Sequence, residues 1–199
     1  MEIASHFSTP VMVHKVPDDL ADSVEDHVVS NLHKLQIKDH QNHQHNDYSE
    51  NESIVDLENN LTHLYNEILR CREEFERQTN VLSSKTIQYW IQDYRSSTAF
   101  HELHHHGVYG ISGLYWVRAN ENAGPIHFKN PNTLIHYINT LHSENPSVFN
   151  SNYISYSPRK GYILMFPSWL EHKVLTGQDN IIRTTIAFNF EQNPFDTKR

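Results

Sequence analysis

His101-Glu102-Leu103-His104-His105-His106 can be read in two ways, and the choice decides the fold. On a helix, His101, Glu102 and His105 spell HExxH, in which two histidines four apart share a face and the glutamate serves as general base beside zinc. On a strand, side chains two apart share a face, so His104 pairs with His106 while His105 points away. His101 would then share its face with Leu103, which cannot ligate a metal. The flanks favour the strand. Upstream runs the polar segment from Asp93 to Phe100, where a protease helix would be apolar and periodic. Downstream, Gly107 and Gly110 precede the strand-like run from Ile111 to Val117. A helix confined to about six residues is marginal, and a chain with 16 histidines produces chance matches easily.

A close histidine pair needs a third ligand from a neighbouring strand. His172 fits, in Phe166-Pro167-Ser168-Trp169-Leu170-Glu171-His172-Lys173-Val174, which closes the most apolar strand-like run and precedes a turn. Further on, Arg183 opens an alternating stretch to Phe190. Thr184, Ile186, Phe188 and Phe190 fall on one face; Arg183, Thr185 and Asn189 fall on the other. An arginine facing inward is costly unless an anion meets it. Its planar fork suits a carboxylate, and the Thr185 hydroxyl can add a further bond. A surface arginine paired with a local acid is the plainer alternative.

The rest of the chain has two textures. Residues 1 to 80 are polar and helical; residues 86 to 190 are strand-like and aromatic. A short strand near Phe7–Val16 leads into a helix carrying Leu20, Val24, Val28, Leu32 and Leu35, with Asp18 or Asp19 as N-cap. Residues 37 to 52 read as an exposed loop, and its His40, His43 and His45 as solvated. Ser53 is expected to cap a second helix with the apolar stripe Ile54, Leu57, Leu61, Leu64, Ile68, Cys71 and Phe75. Cys71 on that stripe reads as a core residue. Six strand-like segments follow, each bounded by Gly, Pro, Asn or Ser, with a helical interruption near residues 133 to 142. Two helices before many short strands point to an α+β fold, an antiparallel sandwich or jelly roll with helices on one face.

Composition narrows the function classes. At 199 residues a single domain is expected. The net charge of -8 argues against direct nucleic-acid binding. One cysteine fits a reducing, cytoplasmic setting, and no apolar stretch approaches membrane-spanning length.

The segment from Trp90 to Asn189 resembles a family of 2-oxoglutarate/Fe(II)-dependent oxygenases in the cupin-like, prolyl-hydroxylase-like group. The likeness rests on the His104-His105-His106 element, Ser112-Gly113-Leu114-Tyr115-Trp116-Val117, the Ala123-Gly124 turn, Gly161 through Trp169, His172, and Arg183 through Asn189. It implies a double-stranded β-helix in which His104, His106 and His172 hold Fe(II). It further implies that Arg183 and Thr185 hold the distal carboxylate of 2-oxoglutarate, the co-substrate used with O2. The implied reaction hydroxylates a substrate C–H bond and releases succinate and CO2. Two positions depart from the pattern. Better-known relatives carry Asp or Glu where this chain has His106, so the ligands are three histidines or a carboxylate such as Glu102 completes them. The aspartate-proline-arginine turn of the family reads Asn130-Pro131-Asn132. Trp116, Tyr115 and Trp169 are candidate wall residues, and residues 131 to 152 a candidate cover for the substrate mouth. A zinc-dependent hydrolase and a non-catalytic jelly-roll interaction module remain as alternatives.

Overall fold

Alternation along the last strand organises the molecule. The computed structural model describes residues 8–34, 48–51, 56–83, 86–94, 98–107, 109–120, 122–132, 134, 150–178 and 182–191. In chain order these form β1 (Met12–Lys15), α1 (Asp18–Asn31), β2 (Tyr48–Asn51), α2 (Thr62–Thr79), β3 (Ile87–Tyr94), β4 (His101–His104), β5 (Tyr109–Arg118), β6 (Ile126–Lys129), β7 (Tyr153–Tyr156), β8 (Tyr162–Pro167), β9 (His172–Val174) and β10 (Arg183–Glu191). The strands make two antiparallel sheets, ordered β1-β8-β5-β10-β3-β2 and β4-β9-β6-β7. The six segments read from sequence as strands are β3, β5, β6, β7, β8 and β10.

β10 lies between β5 and β3, with Phe188 opposite Gly113 on one side and Tyr89 on the other. Its Ile186, Phe188 and Phe190 share one core with Val24 and Val28 of α1 and Leu64, Ile68 and Phe75 of α2. Its alternate residues face the second sheet, where Trp116, Ile126, Phe128, Leu164, Phe166 and Leu170 form a separate core. The glycine at 113 is required by this packing, because an added Cβ would strike the Phe188 ring and the Leu164 carbonyl. Cys71 is buried in the helix-side core, and burial pushes its thiol up to about 11, as suits an inert packing residue.

Two helix expectations are adjusted. α1 starts at Asp18, with Pro17 rather than an aspartate as N-cap; Asp18 and Asp19 sit in the first turn, where they favour the helix dipole. α2 starts at Thr62, well after Ser53, which lies outside the described residues. The reason is local: the Asp56 carboxylate accepts bonds from the Asn59 backbone N–H (3.1 Å) and side-chain amide (2.7 Å), holding a turn in place of a helix. Leu57 and Leu61 are buried all the same, from the turns that precede the helix.

The expected loop at 37–52 contains a strand, β2, whose backbone pairs with the free edge of β3. Edge pairing makes few demands on side-chain polarity, which is why the composition concealed it. His40, His43 and His45 lie outside the described residues, as does most of the stretch 131–152. Among the described residues, no helix is long and apolar enough to cross a membrane.

Candidate functional site

The histidine segment is a strand. β4 pairs with β9 so that His104 lies opposite His172, and their rings stand 4.3 Å apart between centroids. Directly opposed residues on one face are natural partners for a shared ligand. His106, two residues beyond His104, falls on the same side, its backbone N–H bonded to the Ser168 carbonyl at 2.9 Å. Its ring lies 5.2 Å from His104 and 5.1 Å from His172. One nitrogen from each ring lies within 4.8 Å of the others, close enough to share one ion. His105 is exposed, as the strand reading requires. The helix on which HExxH chemistry depends is absent from His101–His104.

Hydrogen bonding fixes which ring nitrogen is available on His104 and on His172. His104 Nδ1 donates to the Glu102 carbonyl at 2.7 Å, and His172 Nδ1 donates to the Leu170 carbonyl at 2.9 Å. A carbonyl can only accept, so each Nδ1 carries the proton and each Nε2 keeps its lone pair. All three imidazoles are held neutral. Burial is the main cause in each case, and it takes His172 down to about 3 and His106 to about 4, with His104 displaced the same way. Neutral imidazoles are the form that ligates a metal. Among the described residues the cluster that could hold an ion is these three histidines, without a carboxylate; the Glu102 side chain is exposed.

A fourth histidine joins the edge of this group. The pairing of β4 with β9 shifts register between His101 and His104, which turns His101 inward, 4.3 Å from the His104 ring, while Leu103 is 38% exposed. Regular alternation puts His101 with Leu103, so sequence reasoning missed it. A bulge of this kind leaves no clear mark in HELHHH. Burial takes His101 down to about 3, and neighbouring His104, His106 and Arg183 push in the same direction.

Arg183 is 4% exposed. Its guanidinium donates to the carbonyls of Ala123 (3.0 Å) and Gly124, and lies over the Tyr94 ring at 3.9 Å. Burial lowers its pKa, opposed by Tyr94. Among the described residues no carboxylate pairs with it. Thr185, also buried, donates to Gln92 Oε1 at 3.4 Å, and the Tyr94 hydroxyl reaches the same oxygen at 3.4 Å. Arg183, Thr185, Gln92 and Tyr94 form the polar side of a small, partly open pocket, and Leu114, Trp116, Ile126 and Val174 form its apolar side. Val174 sits two residues from His172 and opposite His101, so the pocket adjoins the histidine cluster. Trp116 lines the pocket, whereas Tyr115 faces the helix-side core and Trp169 is 51% exposed. At the turn expected to hold an arginine in relatives, Asn130 closes the chain with its own side chain, accepting from the Asn132 N–H at 2.9 Å.

Comparison with known proteins gives the family and the fold. A family model described as "Putative 2OG-Fe(II) oxygenase" matches residues 88–189. No curated protein matches the sequence. Among solved structures, a prolyl-4-hydroxylase from Pseudomonas putida is similar at TM-score 0.69 and 10% identity, over 94% of this chain and 94% of that one. A prolyl hydroxylase from Trichoplax adhaerens, in complex with a fragment of the hypoxia inducible factor oxygen degradation domain, is similar at TM-score 0.63 and 12% identity, over 92% and 83%. HygX from Streptomyces hygroscopicus, with nickel and 2-oxoglutarate bound, is similar at TM-score 0.59 and 12% identity, over 94% and 84%. At such identities the likeness is one of fold.

Proposed function

This chain belongs to the 2OG-Fe(II) oxygenase family, and on that premise we propose that it is an Fe(II)- and 2-oxoglutarate-dependent dioxygenase. With O2 as oxidant and 2-oxoglutarate as co-substrate, it hydroxylates a C–H bond of its primary substrate and releases succinate and CO2. The observation that carries this reading is a pair of adjoining features: three neutral imidazoles converging on one point, and a buried arginine with no counter-carboxylate among the described residues. We read the two sheets as the walls of a double-stranded β-helix within a single domain, in keeping with the fold of the similar hydroxylases.

The residues suit the groups they would hold. Imidazole is an apt donor for ferrous iron, and three donors leave positions for co-substrate and O2. His104, His106 and His172 would hold the metal. Iron and 2-oxoglutarate supply the oxidising chemistry when bound; the chain binds, orients and keeps out water. Arg183 presents its fork to the distal carboxylate, with the Thr185 hydroxyl beside it and the Tyr94 ring bracing the guanidinium from one face. Leu114, Trp116, Ile126 and Val174 exclude water, which strengthens that ion pair. Because the three imidazoles are neutral, a dianionic co-substrate would bring the negative charge that suits both the metal and Arg183.

The test is anaerobic addition of Fe(II) and 2-oxoglutarate to metal-free protein, followed by the visible charge-transfer band of a chelated keto acid. The band is expected in wild type, lost in His172→Ala, and in Arg183→Ala to need far more 2-oxoglutarate. Absence of the band, with zinc taken up at one equivalent, would replace this reading by zinc-dependent hydrolysis. If neither metal binds, the fold serves as an interaction module.

A further inference from the structure

Gln92 of β3 enters the site so far only as an acceptor. It is 7% exposed and lies opposite Thr185 in the pairing of β3 with β10, next to the opposed pair Tyr94 and Arg183. A buried carboxamide is unfavourable unless both its ends are answered. One end is answered: Oε1 accepts from the Thr185 hydroxyl and from the Tyr94 hydroxyl, each at 3.4 Å. Both bonds are long, so they orient the amide more than they stabilise it. The other end is open. Gln92 Nε2 has no hydrogen-bond partner among the described residues, yet it is not sealed off from solvent either. Since Gln92 is otherwise enclosed and lines the pocket, the pocket is the space that its amide nitrogen reaches.

We propose that Gln92 is a co-substrate-binding residue, whose amide nitrogen donates to the distal carboxylate that Arg183 holds. The inference rests on the reading of this pocket as the 2-oxoglutarate site. A hydroxyl has one proton to donate, and Thr185 gives its proton to Gln92 Oε1. Thr185 therefore orients a donor more than it serves as one, and Tyr94 acts with it. Arg183 in turn commits Nη1 to the carbonyls of Ala123 and Gly124. Its fork is thus partly occupied, while the two oxygens of a carboxylate accept more bonds than the rest of the guanidinium supplies. The Gln92 amide meets that need without adding charge to the pocket.

The test is the anaerobic charge-transfer band of the Fe(II)-loaded protein, titrated with 2-oxoglutarate and with 2-oxopentanoate. The two oxoacids share the keto-acid end and the carbon chain, and only the first has a distal carboxylate. Gln92→Leu is expected to weaken 2-oxoglutarate binding by about 10–100-fold, the range for a hydrogen bond to a charged group. It should leave 2-oxopentanoate within a few-fold of wild type. Gln92→Glu keeps the size but sets a carboxylate beside Arg183, and should weaken 2-oxoglutarate further while again sparing 2-oxopentanoate. Thr185→Val removes only an orienting hydroxyl and should cost less than Gln92→Leu. Equal loss of both oxoacids in Gln92→Leu marks a packing role and overturns the proposal, as does unchanged 2-oxoglutarate binding. A larger loss in Thr185→Val than in Gln92→Leu makes the hydroxyl the donor and overturns it too. Should Gln92→Leu fail to fold, Gln92→Glu decides: 2-oxoglutarate bound as in wild type overturns the proposal, and its selective loss supports it. Wild type that shows no band with either oxoacid overturns the co-substrate reading of the pocket, and the proposal with it, an outcome distinct from variants that match a binding-competent wild type.

Discussion

The two faces of β10 are both buried, and they differ in what they bury. Toward the helices, Ile186, Phe188 and Phe190 are fully buried among apolar neighbours. Toward the second sheet, Arg183, Thr185 and Asn189 are 4%, 3% and 4% exposed, yet every one is polar. Burial therefore does not distinguish core from site; the chemistry of the buried atoms does. A buried apolar side chain of this size contributes about 1.5–3 kcal/mol to folding. A buried guanidinium opposes folding unless something neutral or anionic answers it. Polar burial is not confined to that face, since Thr184 on the other face is 0% exposed and donates to the buried Asp93 carboxylate at 2.7 Å; what sets the Arg183 face apart is a buried guanidinium with no counter-carboxylate among the described residues.

The comparison yields predictions that grade downward in size. His172→Ala should abolish stoichiometric metal binding while the metal-free protein stays folded, since the change removes a buried polar ring from a site that is not the main core. Metal titration with circular dichroism checks both halves, and retained one-to-one binding would break the comparison on its polar side. Phe188→Ala should do the reverse. It should lower stability by about 3–5 kcal/mol in urea unfolding, while the folded fraction still binds metal and 2-oxoglutarate as wild type does.

A smaller effect should appear with pH. His101, His104, His106 and His172 all have folded pKa values below the ordinary 6.5, with His101 and His172 at about 3 and His106 at about 4. The unfolded chain therefore takes up protons first as pH falls. The stability contributed by these neutral rings is complete above about 6.5 and is lost on going down through the folded values. Metal-free protein should thus weaken steadily between about pH 6.5 and 4, and the metal-loaded protein more steeply, because bound metal requires all three ligands deprotonated. Flat stability over that window would mean the rings are not buried as a group.

Much of this contrast is legible in the sequence. The alternation Arg183-Thr184-Thr185-Ile186 assigns each residue of β10 to its face, and glycines at 107 and 110 exclude the helix on which HExxH depends. His104, His106 and His172 come together in the structure because the strand period holds from β4 into the following residues. What escaped is governed by pairing rather than by period. His101 turns inward through a register shift set by β9. β2 forms because β3 offers an edge, and α2 starts late because Asp56 captures Asn59. Asn189 falls on the Arg183 face by alternation alone, but the bond it accepts from Ser112 depends on the pairing of β10 with β5, which no single segment records.

The central claim is that the polar face of β10 serves ligand binding rather than folding, and Arg183→Met tests it most directly. Unfolding free energy would be measured for wild type and variant, each metal-free and each with Fe(II) and 2-oxoglutarate under anaerobic conditions. Met fills similar volume without charge but leaves the Ala123 and Gly124 carbonyls without this donor, so the ligand-free variant should lose no more than about 1–3 kcal/mol. The stabilisation conferred by 2-oxoglutarate, about 2.7 kcal/mol at 100 times its dissociation constant, should largely disappear. A variant that loses several kcal/mol without ligand, yet is stabilised by 2-oxoglutarate as wild type is, would show that Arg183 belongs to the fold and not to the site.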